Sequence, residues 1–70
     1  MDYRLPANLK ARVLLFGESS MGAYHVALVL RDGTVVDDVF VAWGDEVVKV
    51  GGRTDFLLDV SEVVDVIDRT

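Results

Sequence analysis

The chain holds few residues that could form a nucleophilic or metal-binding site. It has one histidine, His25, and no cysteine, which excludes a Cys–His nucleophilic pair and zinc sites of ordinary spacing. A Ser–His–Asp triad could be assembled from His25, Asp38 and one of the serines at positions 19 and 20. No Gly-x-Ser-x-Gly elbow surrounds those serines, and 70 residues leave little room for a shaped cleft. We therefore expect no enzyme activity and no cofactor, and we interpret His25 as a strand residue beside Phe40.

Two further segments invite a chemical interpretation. Asp37 and Asp38 could serve as a carboxylate pair, but neighbouring residues in a strand point to opposite faces of the sheet. We prefer a bulge or sharp bend there, or charges that protect a strand edge. Residues 17–22 (GESSMG) carry two hydroxyls but no lysine and no following helix, so they make a poor phosphate cradle. We interpret them as a connecting loop.

The charge balance limits the possible partners. Twelve acidic and seven basic residues give a net charge of −5, which disfavours general nucleic-acid affinity. A local basic patch stays possible, with Arg31, Asp45, Lys49 and Arg53 as candidate contacts. No apolar run approaches the ~20 residues of a membrane span, and the N-terminus lacks a signal-peptide pattern. We expect a cytoplasmic protein without a membrane partner.

The elements that would position these residues are predicted to be strands. Fourteen residues are valine and one is isoleucine, a β-branched excess that favours strands. We predict strands over 10–16 and 23–31, a meander through residue 50, a further strand over 55–60, a 3₁₀ turn at 59–62 and a last strand over 63–67. The predicted fold is all-β, a five-stranded small antiparallel barrel that spans 1–70 as one domain, with 1–9 as a lead-in.

The register of the meander divides its residues between two faces. A two-residue turn at Asp32-Gly33 would pair Leu30 with Val35 and Tyr24 with Val41, which makes one apolar core face. Trp43 is expected either to cap this core, which we prefer, or to lie at an interface. The opposite face is also largely apolar and forms our candidate interface, which consists of Ala27, Val29, Val36, Phe40, Ala42 and Val47.

That second apolar face indicates association. A 70-residue chain without a disulfide buries only about 60% of its unfolded surface, so its stability margin is thin. An antiparallel sheet with one solvated side should alternate more cleanly between apolar and polar residues. We predict a non-enzymatic interaction or assembly module that forms a homo-oligomer, with another protein as a further possible partner.

Residues 26–50 resemble the first motif of the Sm-like small barrels. The stretch VALVLRDGTVV, followed by VFV and DEVVKV, is similar to the Asp-Gly hairpin, bent strand and acidic turn of that motif. Sm-like proteins bind a base through an Asp and an Asn, and carry an Arg-Gly near the end of their second motif. Here only Asp45 lies near the Asp position, residues 47–49 read VVK and residues 59–63 read DVSEV, so the RNA-binding residues do not carry over.

The resemblance implies a barrel and assembly into rings through edge strands. A Src-homology-3-type barrel fits the same strand count, with residues 16–24 as its long first loop. The alternative function is an Sm-like ring that binds RNA or another single-stranded nucleic acid, which would show salt-dependent oligonucleotide binding.

Overall fold

One antiparallel sheet of four strands carries the fold. The computed structural model describes residues 3–17 and 22–69. The chain forms helix α1 (Ala7–Val13), then strands β1 (Ala23–Leu30), β2 (Val35–Ala42), β3 (Glu46–Val50) and β4 (Val63–Asp68), with a 3₁₀ turn (Val60–Glu62) just before β4. The strand order is β3-β2-β1-β4, and every neighbouring pair is antiparallel. The mostly-β prediction is confirmed. The predicted five strands and closed barrel are not confirmed, because the described residues form a four-stranded sheet that stays open.

The N-terminal third departs most from the sequence prediction. Residues 10–16 were predicted as a strand, whereas the chain forms helix α1 followed by a turn. Leu5, Leu9 and Val13 recur every fourth residue and are 5%, 2% and 0% exposed, which is the spacing of one buried helix face. Pro6 precedes the helix, where its missing N–H costs nothing. The strand prediction was wrong because the apolar run at 13–16 masked this period.

The core lies between α1 and one face of the sheet, which we call the helix side. Its buried members are Leu5, Leu9, Val13, Tyr24, Val26, Leu28, Val39, Val41, Val47, Val63 and Val66. Helix and sheet each bury one apolar face against the other, the arrangement of a two-layer domain.

The β1–β2 hairpin matches the predicted register only away from its turn. Tyr24 pairs with Val41 as predicted, but Leu28 pairs with Val36 instead of Asp37. The loop has three residues, 31–33, since the Leu30 N–H donates to the Thr34 carbonyl at 2.8 Å. A bulge in β2 beside Ala27 restores the register further along. The bulge predicted at positions 37 and 38 is thereby confirmed.

The β2–β3 hairpin also has a longer loop than a two-residue turn at Gly44-Asp45, the turn that the sequence favours. Its loop spans residues 43–45, and Trp43 and Gly44 both have positive φ angles, 56° and 89°. Trp43 is 71% exposed and does not cap the core as predicted. A register shift past Phe40 pairs Val41 with Val47, so Val47 lies in the core and Val48 is displaced outward.

The chain returns from β3 to β4 across the helix side. Residues 50 and 53 pair around Gly51-Gly52, so the chain turns there, but the predicted strand over 55–60 does not form. Instead Phe56 and Leu58 pack against the core as the segment crosses to the far edge of the sheet. The 3₁₀ turn and the last strand are confirmed.

The N-terminal segment pairs with the β3 edge of the sheet. Arg4 forms a bridge with Glu46, the Leu5 N–H donates to the Asp45 carbonyl at 2.8 Å, and the Val47 N–H donates to the Tyr3 carbonyl at 2.9 Å. These bonds satisfy part of the edge that an outer strand leaves unpaired. Within residues 3–17 and 22–69, no helix has the length and apolar character needed to cross a membrane.

Candidate functional site

The face of the sheet opposite α1, which we call the open face, is the largest candidate surface. Its residues are the pairs Ala23–Ala42, His25–Phe40, Ala27–Ile67 and Val29–Val35, together with Lys49 beside Phe40, Glu46 beside Ala42 and Asp65 beside Val29. Seven of these eleven side chains are aliphatic or aromatic, and the three charged ones stand on the outer strands β3 and β4, so the face has an apolar centre and a charged margin. No helix or strand of the described residues packs on it.

The sequence-predicted interface is divided between the two sides of the sheet. Ala27, Val29, Phe40 and Ala42 lie on the open face by their cross-strand partners. Val36 packs against the core and Val47 is 3% exposed within it, so both belong to the helix side. The three-residue loop at 31–33 shifted the first of these, and the irregularity after Phe40 shifted the second.

His25 is a polar residue of the open face, on the central strand β1. Its ring stacks on Phe40 with centroids 4.6 Å apart and planes 13° from parallel, which confirms the prediction that it is a strand residue beside Phe40. Its Nε2 lies 3.0 Å from Oδ1 of Asp38. The bulge gives Asp38 a φ of 56° and aims its carboxylate along the strand toward the ring.

The His25–Asp38 pair has no described nucleophile beside it. The serines at positions 19 and 20, which the triad hypothesis requires, lie outside the described residues. Ser61, the serine that the structure describes, hydrogen-bonds through its hydroxyl to Asp59 at the 3₁₀ turn. In this geometry the Asp38 carboxylate holds the His25 imidazole flat against the Phe40 ring.

A shallow groove crosses the open face near β3. It has a volume of about 360 Å³ and is lined by Ala23, Phe40, Val48, Lys49 and Thr54. Three of these residues are apolar, one is a cation and one offers a hydroxyl. Such a mixture suits a flat apolar group with a polar or electron-rich edge.

Lys49 differs in its pairing from five of the six other basic residues. Within the described ranges, ion pairs are formed by Lys10, Arg12, Arg31, Arg53 and Arg69, with Asp45, Asp65, Glu62, Asp55 and Asp37 respectively. Lys49 forms no ion pair with any of those described residues. Its ammonium is therefore available beside Phe40 in the groove.

The four candidate nucleic-acid contacts are not brought together. Arg31 and Asp45 lie in the loops at opposite ends of β2. Arg31 donates to the Glu62 carboxylate and the Ser61 carbonyl, each at 3.1 Å. Arg53 holds Asp55 through two hydrogen bonds of 2.9 and 2.8 Å, which lower the pKa of the Asp55 carboxyl.

A second apolar surface lies at the β2–β3 loop. Trp43 is 71% exposed, and its ring covers the α-carbon of Gly22 so closely that a Cβ there would lie 2.7 Å from it. On the neighbouring residue, Gly44, the side chain of Leu14 packs in the same way. The preferred core position of Trp43 is wrong, and its exposure fits the interface alternative; the signal was the Trp-Gly pair at a hairpin turn, where positive φ angles are required.

The described residues form a mostly-β fold, and comparison with known proteins adds no assignment. Comparison of the chain with family models, with curated proteins and with solved structures finds no match. Among the described residues, no group of three or more His, Cys, Asp or Glu side chains could hold a metal ion. The open face and the Trp43 surface are the features on which a function can be argued.

Proposed function

We propose that the protein is a non-enzymatic interaction module that associates with copies of itself through the open face of its sheet. The observation that carries the proposal is the apolar character of this face, from Ala23 and Val29 on β1 to Phe40 and Ala42 on β2; Ala27 lies between them and is 0% exposed. A sheet packed on one side and solvated on the other normally presents polar residues to water. Here the charged residues are confined to the margin, as in an interface with an apolar centre and a polar rim.

The size of the chain supports self-association. A standard interface buries roughly 800 Å² on each partner, which is about a fifth of the 4309 Å² exposed by this chain. Two such faces would pack roughly 10 Å apart, as in a β-sandwich. Burial at ~25 cal/mol per Å² of apolar area would then add to a stability margin that is small in domains of this length.

Binding of single-stranded nucleic acid has weaker support. Phosphate recognition needs several unpaired cations on one surface. Arg31 and Arg53 are each engaged by a carboxylate, and the net charge is −5. The distribution of charge therefore favours a protein partner.

A charge placed on the open face, near the loop end of β1, tests the proposal. Val29 is half-buried there, and Val29→Lys is expected to shift the protein to a monomer in light scattering coupled to size exclusion. Leu57→Lys is the matched control, because Leu57 is 90% exposed and lies on the crossing segment of the helix side. Equal association of wild type and Val29→Lys would contradict the proposal, and dissociation by Leu57→Lys alone would move the interface to the helix side.

A further inference from the structure

Strand β4 forms an edge of the sheet that no described strand or β-bridge pairs with on its outer side. The opposite edge, on β3, is partly covered by residues 3–5. An outer strand points the N–H and C=O groups of alternate residues away from the sheet, where a strand of another chain can pair with them. The outer side of β4 is therefore the place at which the described fold can add a strand.

Val66 faces this outer side from the middle of β4. The Arg69 N–H donates to the His25 carbonyl at 2.9 Å, and the same register pairs Ala27 with Ile67. Directly opposite residues of antiparallel strands alternate between hydrogen-bonded and non-hydrogen-bonded pairs. Counted from Arg69, every second residue of β4 therefore bonds to β1. The N–H and C=O of Val66 fall between these residues and point away from the sheet.

The outward N–H of Val66 is occupied by the side chain of its own neighbour. It donates to Oδ1 of Asp65 at 2.8 Å, and the same Oδ1 lies 3.2 Å from Nη2 of Arg12. Asp65 belongs to β4 and Arg12 to α1, so the ion pair joins the helix to the strand at this edge. A strand that approached β4 would have to displace the carboxylate from the Val66 N–H.

The sequence of β4 favours pairing with another chain at every position but one. From Val63 to Ile67, each residue except Asp65 is β-branched and aliphatic, a composition that pairs readily between chains. A charge within such a strand and an irregular register are two means by which edge strands avoid this pairing. β4 has both, because its register with β1 shifts at Val64, which is 44% exposed.

We propose that the contact between Asp65 and Arg12, which we call the edge guard, closes β4 against β4 of a second copy. The second copy is the occupant because β4 is self-complementary. Two antiparallel β4 strands centred on Val66 would form reciprocal N–H···O bonds between the two Val66 residues. Asp65 of each copy would then stand opposite Ile67 of the other, and no two aspartates would face each other. This inference goes beyond the proposed function, since it concerns the edge of the sheet and not its open face.

Asp65→Ala tests the proposal, because it frees the Val66 N–H without adding a β-branched residue. The association constant in sedimentation equilibrium should rise at least about tenfold above that of wild type. Hydrogen exchange of the Val66 amide, followed by NMR, should be faster than in wild type in dilute samples and should slow as the concentration rises. Arg12→Gln leaves β4 unchanged and should produce the same changes to a smaller extent. Asp55→Ala is the matched control, because it removes one carboxylate and one Asp–Arg ion pair outside β4, and it should behave as wild type.

The failure of this inference is distinguishable from the failure of the proposed function. Asp65→Ala with the mass and the Val66 exchange of wild type at every concentration would overturn the edge guard and leave the proposed function standing. Wild type whose own Val66 amide becomes protected as it associates would also overturn the guard, since its edge would then be open. Wild type that stays monomeric, while Asp65→Ala associates with protection of Val66, would overturn the proposed function alone. Circular dichroism and urea midpoints establish that each variant is folded, and Arg12→Gln carries the same test if Asp65→Ala does not fold.

Discussion

Asp38 reaches His25 from the bulged position of β2, with its Oδ1 3.0 Å from the Nε2 of the imidazole. The contact depends on the backbone, because Asp38 has a φ of 56° and its partner stands on the neighbouring strand. Aspartate is one of the few residue types that tolerate the left-handed region. The bulge thus determines both the register of the hairpin and the orientation of the one histidine.

Substitutions of Asp38 separate these two roles. Asp38→Ala should lower the free energy of unfolding by about 1–2 kcal/mol, because alanine is strained at this φ and the contact with His25 is lost. Asp38→Gly loses the same contact without the strain and should cost about 1 kcal/mol less than the alanine variant. Urea unfolding of both variants checks the order, and an alanine variant as stable as the glycine variant would contradict the bulge geometry.

Gly22 should not tolerate a side chain. It has a φ of 71°, and a Cβ would lie 2.7 Å from the Trp43 ring. Gly22→Ala is expected to destabilise the protein by about 1–3 kcal/mol through backbone strain and displacement of the ring. Gly17→Ala is the matched control, because no atom lies within 4 Å of its Cβ position. Thermal unfolding of both variants tests this, and equal midpoints would show that the Trp43 ring does not rest on Gly22.

Helix α1 predicts that alanine substitutions of two leucines in the N-terminal segment destabilise the protein by very different amounts. Leu9 is 2% exposed and Leu15 is 86% exposed. Leu9→Ala should cost about 2–4 kcal/mol through lost burial and the cavity left behind, whereas Leu15→Ala should change stability by less than about 0.5 kcal/mol. If the segment were a strand with alternating faces, Leu9 and Leu15 would share one face of it. Similar losses in the two variants would therefore argue against α1.

Stability should fall at acid pH. Hydrogen bonds from Thr34, Arg53 and Ser61 lower the pKa values of Asp32, Asp55 and Asp59 respectively. A carboxyl whose pKa is lower in the folded state adds stability above its unfolded pKa, and that contribution disappears as pH falls through the folded value. The melting temperature should therefore decrease below about pH 4.

A single variant checks this assignment. Asp59→Asn removes one of the three carboxyls whose pKa is lowered in the folded state. The variant should therefore be less stable than wild type at pH 7, and its melting temperature should fall less as the pH is lowered. Melting temperatures recorded from neutral to strongly acid pH give both quantities. A wild-type melting temperature that rises through the acid range would contradict the lowered pKa values.

Much of the sheet could be predicted from the sequence because local signals and burial agree there. Alternating apolar residues define β1, the Asp32-Gly33 pair defines the first turn, and the aspartates at 37 and 38 mark the bulge. Helix α1 was missed because its period is carried by Leu5, Leu9 and Val13, which overlap an apolar run typical of a strand. The Sm-like resemblance of residues 26–50 stays a prediction.

The composition of the open face was only partly predictable, because register depends on loop length. A loop of three residues in place of two reverses the side to which the following residues point. That single difference moved Val36 to the core, and the irregularity after Phe40 did the same for Val47. Residues far from the loops, such as Phe40, kept their predicted side. The outward position of Trp43 depends on a left-handed backbone angle. In the sequence, only the turn at this position indicates such an angle.

Self-association through the open face can be measured by sedimentation equilibrium of wild type across a wide concentration range. The average mass should rise above the 7.7 kDa of one chain as concentration increases. Because the centre of the face is apolar, the association should persist at high salt. A mass of 7.7 kDa at every concentration, up to several hundred micromolar, would contradict it.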